Sequence, residues 1–172
     1  MICKRIAERA EGAEIAEAAL VLPIFFMVLL GIYWFGMAFN TYATINRAAV
    51  AGARVAVAQT CSTCGNTAPL ASTVVSTVTQ VMQTSSVNPS KIITYSPVYT
   101  ACPTGVPNVC TNASQNVTVC NNVQLTPPAS PGAAACGVIV SFQYPYKFLL
   151  PFTSLNMQTI DLSAEAQMKG EF

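Results

Sequence analysis

The cysteines are the side chains of this sequence whose type and spacing most readily suggest chemistry. All of them except Cys3 follow Gln59. The six cysteines that follow Gln59 are Cys61, Cys64, Cys102, Cys110, Cys120 and Cys136. A redox-active Cys61-Ser-Thr-Cys64 would be expected at the start of a helix in a βαβ unit, and the sequence around it shows neither. A zinc site needs thiolates kept in a reducing compartment. An even number of cysteines in an exported segment favours structural disulfides instead.

The pairing of these cysteines is not determined by their spacing, because six cysteines can pair in many ways. Cys102 and Cys110 bracket residues 103–109, whose proline and glycine content favours a tight loop. A local bridge between Cys102 and Cys110 is therefore one prediction.

Acid–base catalysis has few residues to draw on. The chain contains no histidine, which is the commonest general base and neutral metal ligand. No carboxylate occurs between Arg54 and Asp161, where only Lys91 and Lys147 are charged. The sequence has no Gly-rich phosphate loop and no nucleophile elbow. A net charge of +1 offers no basic face for phosphates. We therefore expect no enzyme, no metal or other cofactor, and no nucleic-acid partner.

Two glutamates, Glu14 and Glu17, stand directly before an apolar segment. Residues 18–39 carry no charge and are dominated by Leu, Val, Ile, Phe and Ala. As a helix this run is ~33 Å long, enough for a hydrocarbon core of ~30 Å. A carboxylate costs about 2.5–3.5 kcal/mol at the centre of such a helix and less near its edge. Position alone therefore favours interfacial glutamates whose side chains reach the headgroups.

The basic residues on either side of this run predict its orientation. Lys4, Arg5 and Arg9 precede it, and Arg47 and Arg54 lie well beyond it. The positive-inside rule then places the N-terminus in the cytoplasm and the C-terminal domain outside. A conventional secretory signal has a shorter apolar region followed by a small-x-small cleavage site. The pattern instead favours a single-pass membrane protein.

The helix is expected to continue beyond the membrane. Residues 46–59 are rich in alanine and contain no proline, so one helix should run from near Ala13 to about Gln59. Pro23 is expected to kink it inside the membrane, because its ring displaces a backbone hydrogen bond. If this helix bundles with those of other chains, small residues on its distal half would let the helices approach closely. They are Ala48, Ala49, Gly52 and Ala53.

The segment after Gln59 is rich in Thr, Ser, Asn, Val and Pro, and its patterns predict an α+β domain. Helical spacing favours a helix over residues 69–82, with proline in its first turn, while the Val and Thr content of this segment also suits a strand. Residues 91–99 read as an extended edge. Period-two alternation predicts strands at 137–144 and 160–168. The apolar run 148–152 between them is interpreted as core rather than as an interaction surface. The residues expected to face the core are Leu70, Val74, Val78, Met82, Val138, Val140, Phe142, Tyr144, Ile160, Leu162, Ala164, Ala166 and Met168.

The N-terminus has a recognisable order of residues. A short basic leader ends at Gly12 and is followed by Ala13-Glu-Ile-Ala-Glu17 and then by Ala-Ala-Leu-Val-Leu-Pro23. An alanine- and arginine-containing helix, residues 47–54, lies downstream. This order resembles the TadE-like branch of the type IV pilin and pseudopilin superfamily, although Ala18 stands where many relatives carry Phe. The resemblance covers residues 12–58 and recurs weakly near the C-terminus.

The resemblance implies a role for the residues around the leader. A prepilin peptidase would cleave on the cytoplasmic side, between Gly12 and Ala13. Glu17 would then be the fifth residue of the mature chain, and its carboxylate could pair with the new α-amine of Ala13 on a neighbouring subunit. An unpaired charge is costly at low dielectric, so this pairing would set register and recruitment. Glu14 has no such role and is expected at the interface.

The fold implied is pilin-like and α+β, with a long N-terminal transmembrane α-helix packed on a small antiparallel β-sheet domain whose loops are stapled by disulfides. Three segments are expected: a leader over residues 1–12, a helix over 13–59, and an exported cysteine-containing domain over 60–172.

The function implied is that of a structural subunit of a type IV or Tad-type pilus or secretion filament. Its expected partners are copies of itself or other pilin-like subunits, the prepilin peptidase, the inner-membrane pilus assembly machinery and the lipid bilayer. It would reside in the bacterial inner membrane and reach the cell surface when assembled. The alternative is an uncleaved single-pass anchor, either an adhesin or a scaffold of a pilus assembly complex.

Overall fold

The computed structural model describes residues 2–58, 69–95, 97–103, 107–125, 135–147 and 159–170, with side chains from residue 15 onwards except at 113 and 114. The two α-helices in these ranges are α1 (Ile2–Val57) and α2 (Ala71–Thr84). The strands are β1 (Val109–Ala113), β2 (Val117–Gln124), β3 (Cys136–Lys147) and β4 (Thr159–Lys169). Single 3-10 turns occupy Pro89–Lys91 and Ser114–Asn116. A long apolar N-terminal helix followed by a small antiparallel sheet confirms the predicted α+β class.

The chain divides into two compact units, Met1–Phe39 and Asn40–Phe172. The helix α1 contributes residues to both. It begins at Ile2, earlier than the predicted start near Ala13, because the leader is rich in Ala, Glu, Lys and Arg, all good helix formers. Pro23 lies inside α1, and a kink at this position stays a prediction.

The helix α2 confirms the helix predicted after residue 69 but begins slightly later. Leu70 is its N-cap and is 76% exposed, so its predicted place in the core is wrong. An N-cap residue has an extended backbone, here with φ −60° and ψ 137°, which turns its side chain away from the buried face of the helix. The buried face consists of Val74, Val75, Val78 and Met82.

The sheet is an antiparallel meander with the strand order β1-β2-β3-β4. The strands β3 and β4 pair from Gly137 opposite Lys169 to Lys147 opposite Thr159, and they confirm the two strands predicted from alternation. Ile160 at the start of β4 is 48% exposed, unlike the predicted buried position. The hairpin of β1 and β2 did not stand out in the sequence, because alternation is limited to Val117-Thr-Val119 and most other strand positions carry Asn, Cys or Thr.

The main core lies on one face of the sheet. Residues from the C-terminal part of α1, from α2 and from the four-stranded sheet form one cluster. A smaller cluster of Cys120, Val123 and Ile139, with Tyr99 and Leu125 packed against it, covers the other face. Both faces of β3 are therefore buried, which the alternating pattern alone does not show.

The segment predicted as an extended edge, residues 91–99, forms a single bridge rather than a strand. Ile93 exchanges both backbone hydrogen bonds with Gln143, at 2.9 and 3.3 Å. Side chains of the β1–β2 hairpin hold the remainder. Asn116 Nδ2 donates to the Ile92 carbonyl oxygen at 2.8 Å, and Asn116 Oδ1 accepts from Thr94 Oγ1 at 2.9 Å. Pro97 lacks a backbone N–H, so a continuous ladder was not available here.

Candidate functional site

The first part of α1 exposes an apolar surface. Every described side chain from residue 15 to residue 39 is exposed or half-buried, including Leu20 at 70% and Met27 at 73%. Within the described residues, Ile15–Val57 is the helix long and apolar enough to cross a membrane, by length and composition. Apolar area left in water costs about 25 cal/mol per Å². A contiguous surface of this kind is covered in a working molecule by lipid or by other protein chains.

The predicted leader and assembly residues lie at the start of this surface. Glu17 is exposed on α1, one residue before the uncharged run begins. The backbone of α1 is helical through Gly12 and Ala13. The side chains of Ala13 and Glu14 lie outside the described part of the chain. Among the described residues, none places a cation within ion-pair distance of Glu17.

Two aromatic side chains mark the outer third of the apolar run. The rings of Tyr33 and Trp34 meet edge to face, with centroids 5.4 Å apart and an interplanar angle of 75°. Trp34 Nε1 is shielded from solvent and has no hydrogen-bond acceptor among the described residues. Tyr and Trp are enriched at membrane–water interfaces, and the position of this pair near one end of the apolar run is compatible with such an interface.

The small residues on the distal half of α1 pack within the chain. Ala48, Ala49 and Ala53 are 0% exposed and belong to the main core. A Cβ atom placed on Gly52 would lie 2.7 Å from Val78 Cγ2. These residues thus allow α1 to approach α2 and the sheet. A second chain has no access to them while this core is intact, so the close approach that they permit here is intramolecular.

The cysteines form bridges different from the local one predicted. Cys102 is bonded to Cys136, and Cys110 to Cys120. Cys110 and Cys120 are directly opposite each other in the β1–β2 hairpin, with their Cα atoms 4.0 Å apart. A bridge between Cys102 and Cys110 is therefore wrong, because the register of the hairpin gives Cys110 a closer partner. Cys61 and Cys64 lie outside the described residues.

A polar contact joins Tyr99 to β4. Tyr99 Oη donates to Glu165 Oε2 at 3.0 Å, and Gln167 Nε2 donates to Glu165 Oε1 at 2.8 Å. Burial raises the pKa of the Tyr99 phenol above its usual value of 10.0, and the Glu165 carboxylate adds to this increase. A phenol held neutral is a hydrogen-bond donor and not a base. Within the described ranges, no group of three or more His, Cys, Asp or Glu side chains could hold a metal ion.

Asn116 is a residue that the sequence interpretation missed. Its φ of 60° places it in the left-handed region, which Asn tolerates better than most residues. The signal that could have found it is the polar run Asn-Ala-Ser-Gln-Asn at residues 112–116, which is typical of a turn.

The fold is a long apolar N-terminal helix followed by a four-stranded antiparallel sheet with two disulfide bridges. This combination defines a pilin-like α+β protein. The family model described as TadE-like protein matches residues 12–54, about a quarter of the chain. This match confirms the resemblance to the TadE-like family over the segment that carries Gly12, Glu17 and the apolar run. The family is structural and related to Tad pili, and together with the apolar helix it suggests a membrane-anchored protein. No curated protein and no solved structure matches this chain.

Proposed function

We propose that this chain is a structural subunit of a Tad-type pilus or a related type IV secretion filament and that it assembles through α1. One observation carries the proposal. The exposed, uncharged run of residues 18–39 begins directly after Glu17, within the segment that matches the TadE-like family. A soluble enzyme or binding domain would leave such an apolar surface in contact with water. A subunit that first lies in a bilayer and then packs among other helices keeps the surface covered.

The charges around this run support the proposed topology, and the match to the TadE-like family supports the proposed processing. Lys4, Arg5 and Arg9 hold the N-terminus in the cytoplasm, so the sheet domain faces away from the cytoplasm across the inner membrane. A prepilin peptidase then removes residues 1–12 at the cytoplasmic face. Ala13 becomes the new terminus, and the inner-membrane assembly machinery receives the processed chain.

Glu17 is the residue that links processing to assembly. Its carboxylate is exposed beside the apolar run and has no cation nearby among the described residues. Cleavage creates a positive α-amine on Ala13 of each subunit. When helices stack with an axial offset, the amine of one subunit neutralises the Glu17 of the next, and a charge at low dielectric requires such a partner.

The test combines N-terminal determination with two single substitutions. Material sheared from the cell surface is expected to begin at Ala13 by intact mass. Glu17→Ala is expected to remove nearly all filament from the sheared fraction, because the amine loses its partner, while Glu14→Ala leaves filament yield within about twofold of wild type, because the proposed pairing does not involve Glu14. Assembled filaments that retain residues 1–12 would overturn the pairing, and so would equal effects of the two substitutions.

A second candidate is an uncleaved single-pass anchor, an adhesin or assembly scaffold. The exposed apolar run of residues 18–39 would anchor the chain in a membrane without any processing, which favours this candidate. Shearing separates the candidates. A filament subunit enters the sheared fraction, and an anchor stays with the membranes in wild type and in Glu17→Ala alike.

A further inference from the structure

The domain that carries the sheet, residues 60–172, contains three lysines, and two of them line one groove. Between Arg54 and Asp161 the only charged side chains are Lys91 and Lys147, which lie far apart in sequence. Both line the same open groove of about 710 Å³. We call it the lysine groove and define it by Thr41, Ser86, Lys91, Tyr144, Tyr146 and Lys147.

Backbone pairing explains why the two lysines meet. Lys91 ends the 3-10 turn Pro89–Lys91, and two residues later Ile93 is bridged to Gln143 of β3. The bridge is antiparallel, so the chain that precedes Ile93 runs beside the residues that follow Gln143 in β3, which ends at Lys147. Both lysine side chains are exposed, whereas Tyr144 is only 7% exposed and forms the floor.

The lysines of the groove form no ion pair in the part of the chain that the structure describes. Within the described residues, neither lysine has a carboxylate within ion-pair distance. Asp161 on β4 lies opposite Pro145 in the register but does not line the groove. Two uncompensated ammonium groups beside serine and tyrosine side chains form a site for an anion.

The position of the groove in the chain indicates which anion. Thr41 lines it and follows Phe39, the last residue of the apolar run, by two residues. Consecutive Cα atoms are about 3.8 Å apart, so Thr41 lies within about 8 Å of Phe39 whatever the backbone conformation. If residues 18–39 occupy a bilayer, Thr41 is held at headgroup depth. Lys and Tyr are the residues that favour this depth.

We propose that the lysine groove binds the anionic headgroups of phospholipids at the membrane surface from which α1 emerges. The inference rests on the proposed membrane location of α1. Its consequence is that the sheet domain is held against an anionic bilayer before assembly and is released from it when the subunit leaves the membrane.

The full chain is reconstituted in vesicles of zwitterionic lipid alone or of zwitterionic lipid with added phosphatidylglycerol. Each lysine is then acylated by a small amine-reactive reagent and followed by mass spectrometry. Lys91 and Lys147 are expected to react about fivefold more slowly on the anionic vesicles. Lys169 is the internal control, since it lies opposite Gly137, at the other end of β3. The protection should disappear at high salt, because surface electrostatics are screened.

The possible outcomes distinguish a failure of the lysine-groove proposal from a failure of the proposed membrane location of α1. Flotation with zwitterionic vesicles reports on α1 alone. A chain that floats but reacts equally in both compositions overturns the lysine groove and leaves the membrane segment in place, whereas a chain that never floats overturns both. Equal protection by free glycerol phosphate without vesicles overturns the lipid as the source of the anion.

Variants provide a second measurement. Lys91→Gln together with Lys147→Gln is expected to abolish the slowing of hydrogen exchange that anionic vesicles cause in residues 85–93, while Lys169→Gln retains it. Both variants keep the core, because all three side chains are exposed. Slowing that persists in the double variant contradicts the proposal.

Discussion

At the scale of single residues, the backbone of α1 at Gly52 approaches α2 so closely that a side chain has no room. A Cβ atom there would meet Val78 Cγ2 at 2.7 Å, Val74 Cγ1 at 3.3 Å and Val140 Cγ1 at 3.5 Å. Val74 and Val78 are β-branched and helical, so their χ1 angles cannot yield easily. The absence of a side chain at Gly52 is thus a requirement of the core and not a matter of flexibility.

We predict that Gly52→Val destabilises the sheet domain by about 2 kcal/mol through overpacking. Gly31→Val is the matched control, because it makes the same change in the same helix at a position with nothing within 4 Å. Chemical denaturation in detergent, followed by near-UV circular dichroism of the tyrosines, measures both. A control as destabilised as Gly52→Val would mean that valine acts through helix propensity alone.

Tyr99 makes the free energy of unfolding depend on pH in the alkaline range. Burial raises the pKa of its phenol, so above its ordinary value of 10.0 the unfolded chain releases a proton that the folded chain retains. Protons held only by the folded state make the free energy of unfolding fall as pH rises. This contribution is complete below about pH 10 and is lost progressively above it.

The expected result is that Tyr99→Phe flattens the loss of stability above about pH 10. Part of the slope remains, since burial also raises the pKa of Tyr144. Tyr42→Phe, at an exposed position on α1, is the control and should keep the wild-type slope. Urea midpoints measured across the alkaline range decide between them. Identical slopes for all three proteins would rule out Tyr99 as the source.

At the scale of elements, the two bridges close loops of different length. Cys102–Cys136 spans 34 residues and ties the segment before β1 to the start of β3. Cys110–Cys120 spans 10 residues and joins strands that are already paired. Chain entropy gives about 4 kcal/mol for the longer loop and about 3 kcal/mol for the shorter.

Replacing Cys102 and Cys136 together by Ala is therefore expected to cost about 1 kcal/mol more stability than replacing Cys110 and Cys120 together. Denaturant titration without reductant measures both variants. The matched pair controls for the loss of buried sulfur, because each bridge has one fully or almost fully buried cysteine, Cys102 at 4% and Cys120 at 0% exposure. An equal or reversed order would show that strain or residual structure outweighs loop length.

At the scale of the whole molecule, the C-terminal part of α1 belongs with the sheet. The unit Asn40–Phe172 contains the whole main core, including Ile45, Ala48 and Ala53 from α1. A small domain has little stability to spare, so the loss of one core element is decisive.

A chain that begins at Asn40 is expected to remain in solution without detergent and to unfold cooperatively. A chain that begins at Gln59 is expected to lack fixed tertiary structure, because it has lost the α1 residues that cover α2 and the sheet. Near-UV circular dichroism and a urea titration compare the two, with disulfides intact in both. Cooperative unfolding of the shorter chain would show that α1 is dispensable for the core.

Several features of this protein could be predicted from its sequence because they depend on local spacing. The apolar run of residues 18–39 follows from its uncharged composition and its length. The helix that carries Val74 and Val78 and the strands β3 and β4 follow from periodicity over a few residues. The resemblance to the TadE-like family also lies in one continuous segment, residues 12–54. Such features need no knowledge of distant contacts.

Other features were decided only by tertiary structure, because they join residues that are far apart in the chain. Cys136 is bonded to Cys102, which lies 34 residues earlier in the chain. Side-chain hydrogen bonds of Asn116 to Ile92 and Thr94, rather than strand pairing, hold the segment around these two residues. The small residues around Gly52 suggested contact between chains, but the fold fills that space with Val74 and Val78 of the same chain. Alanine and glycine permit close approach without specifying the partner, and only the packed core selects it.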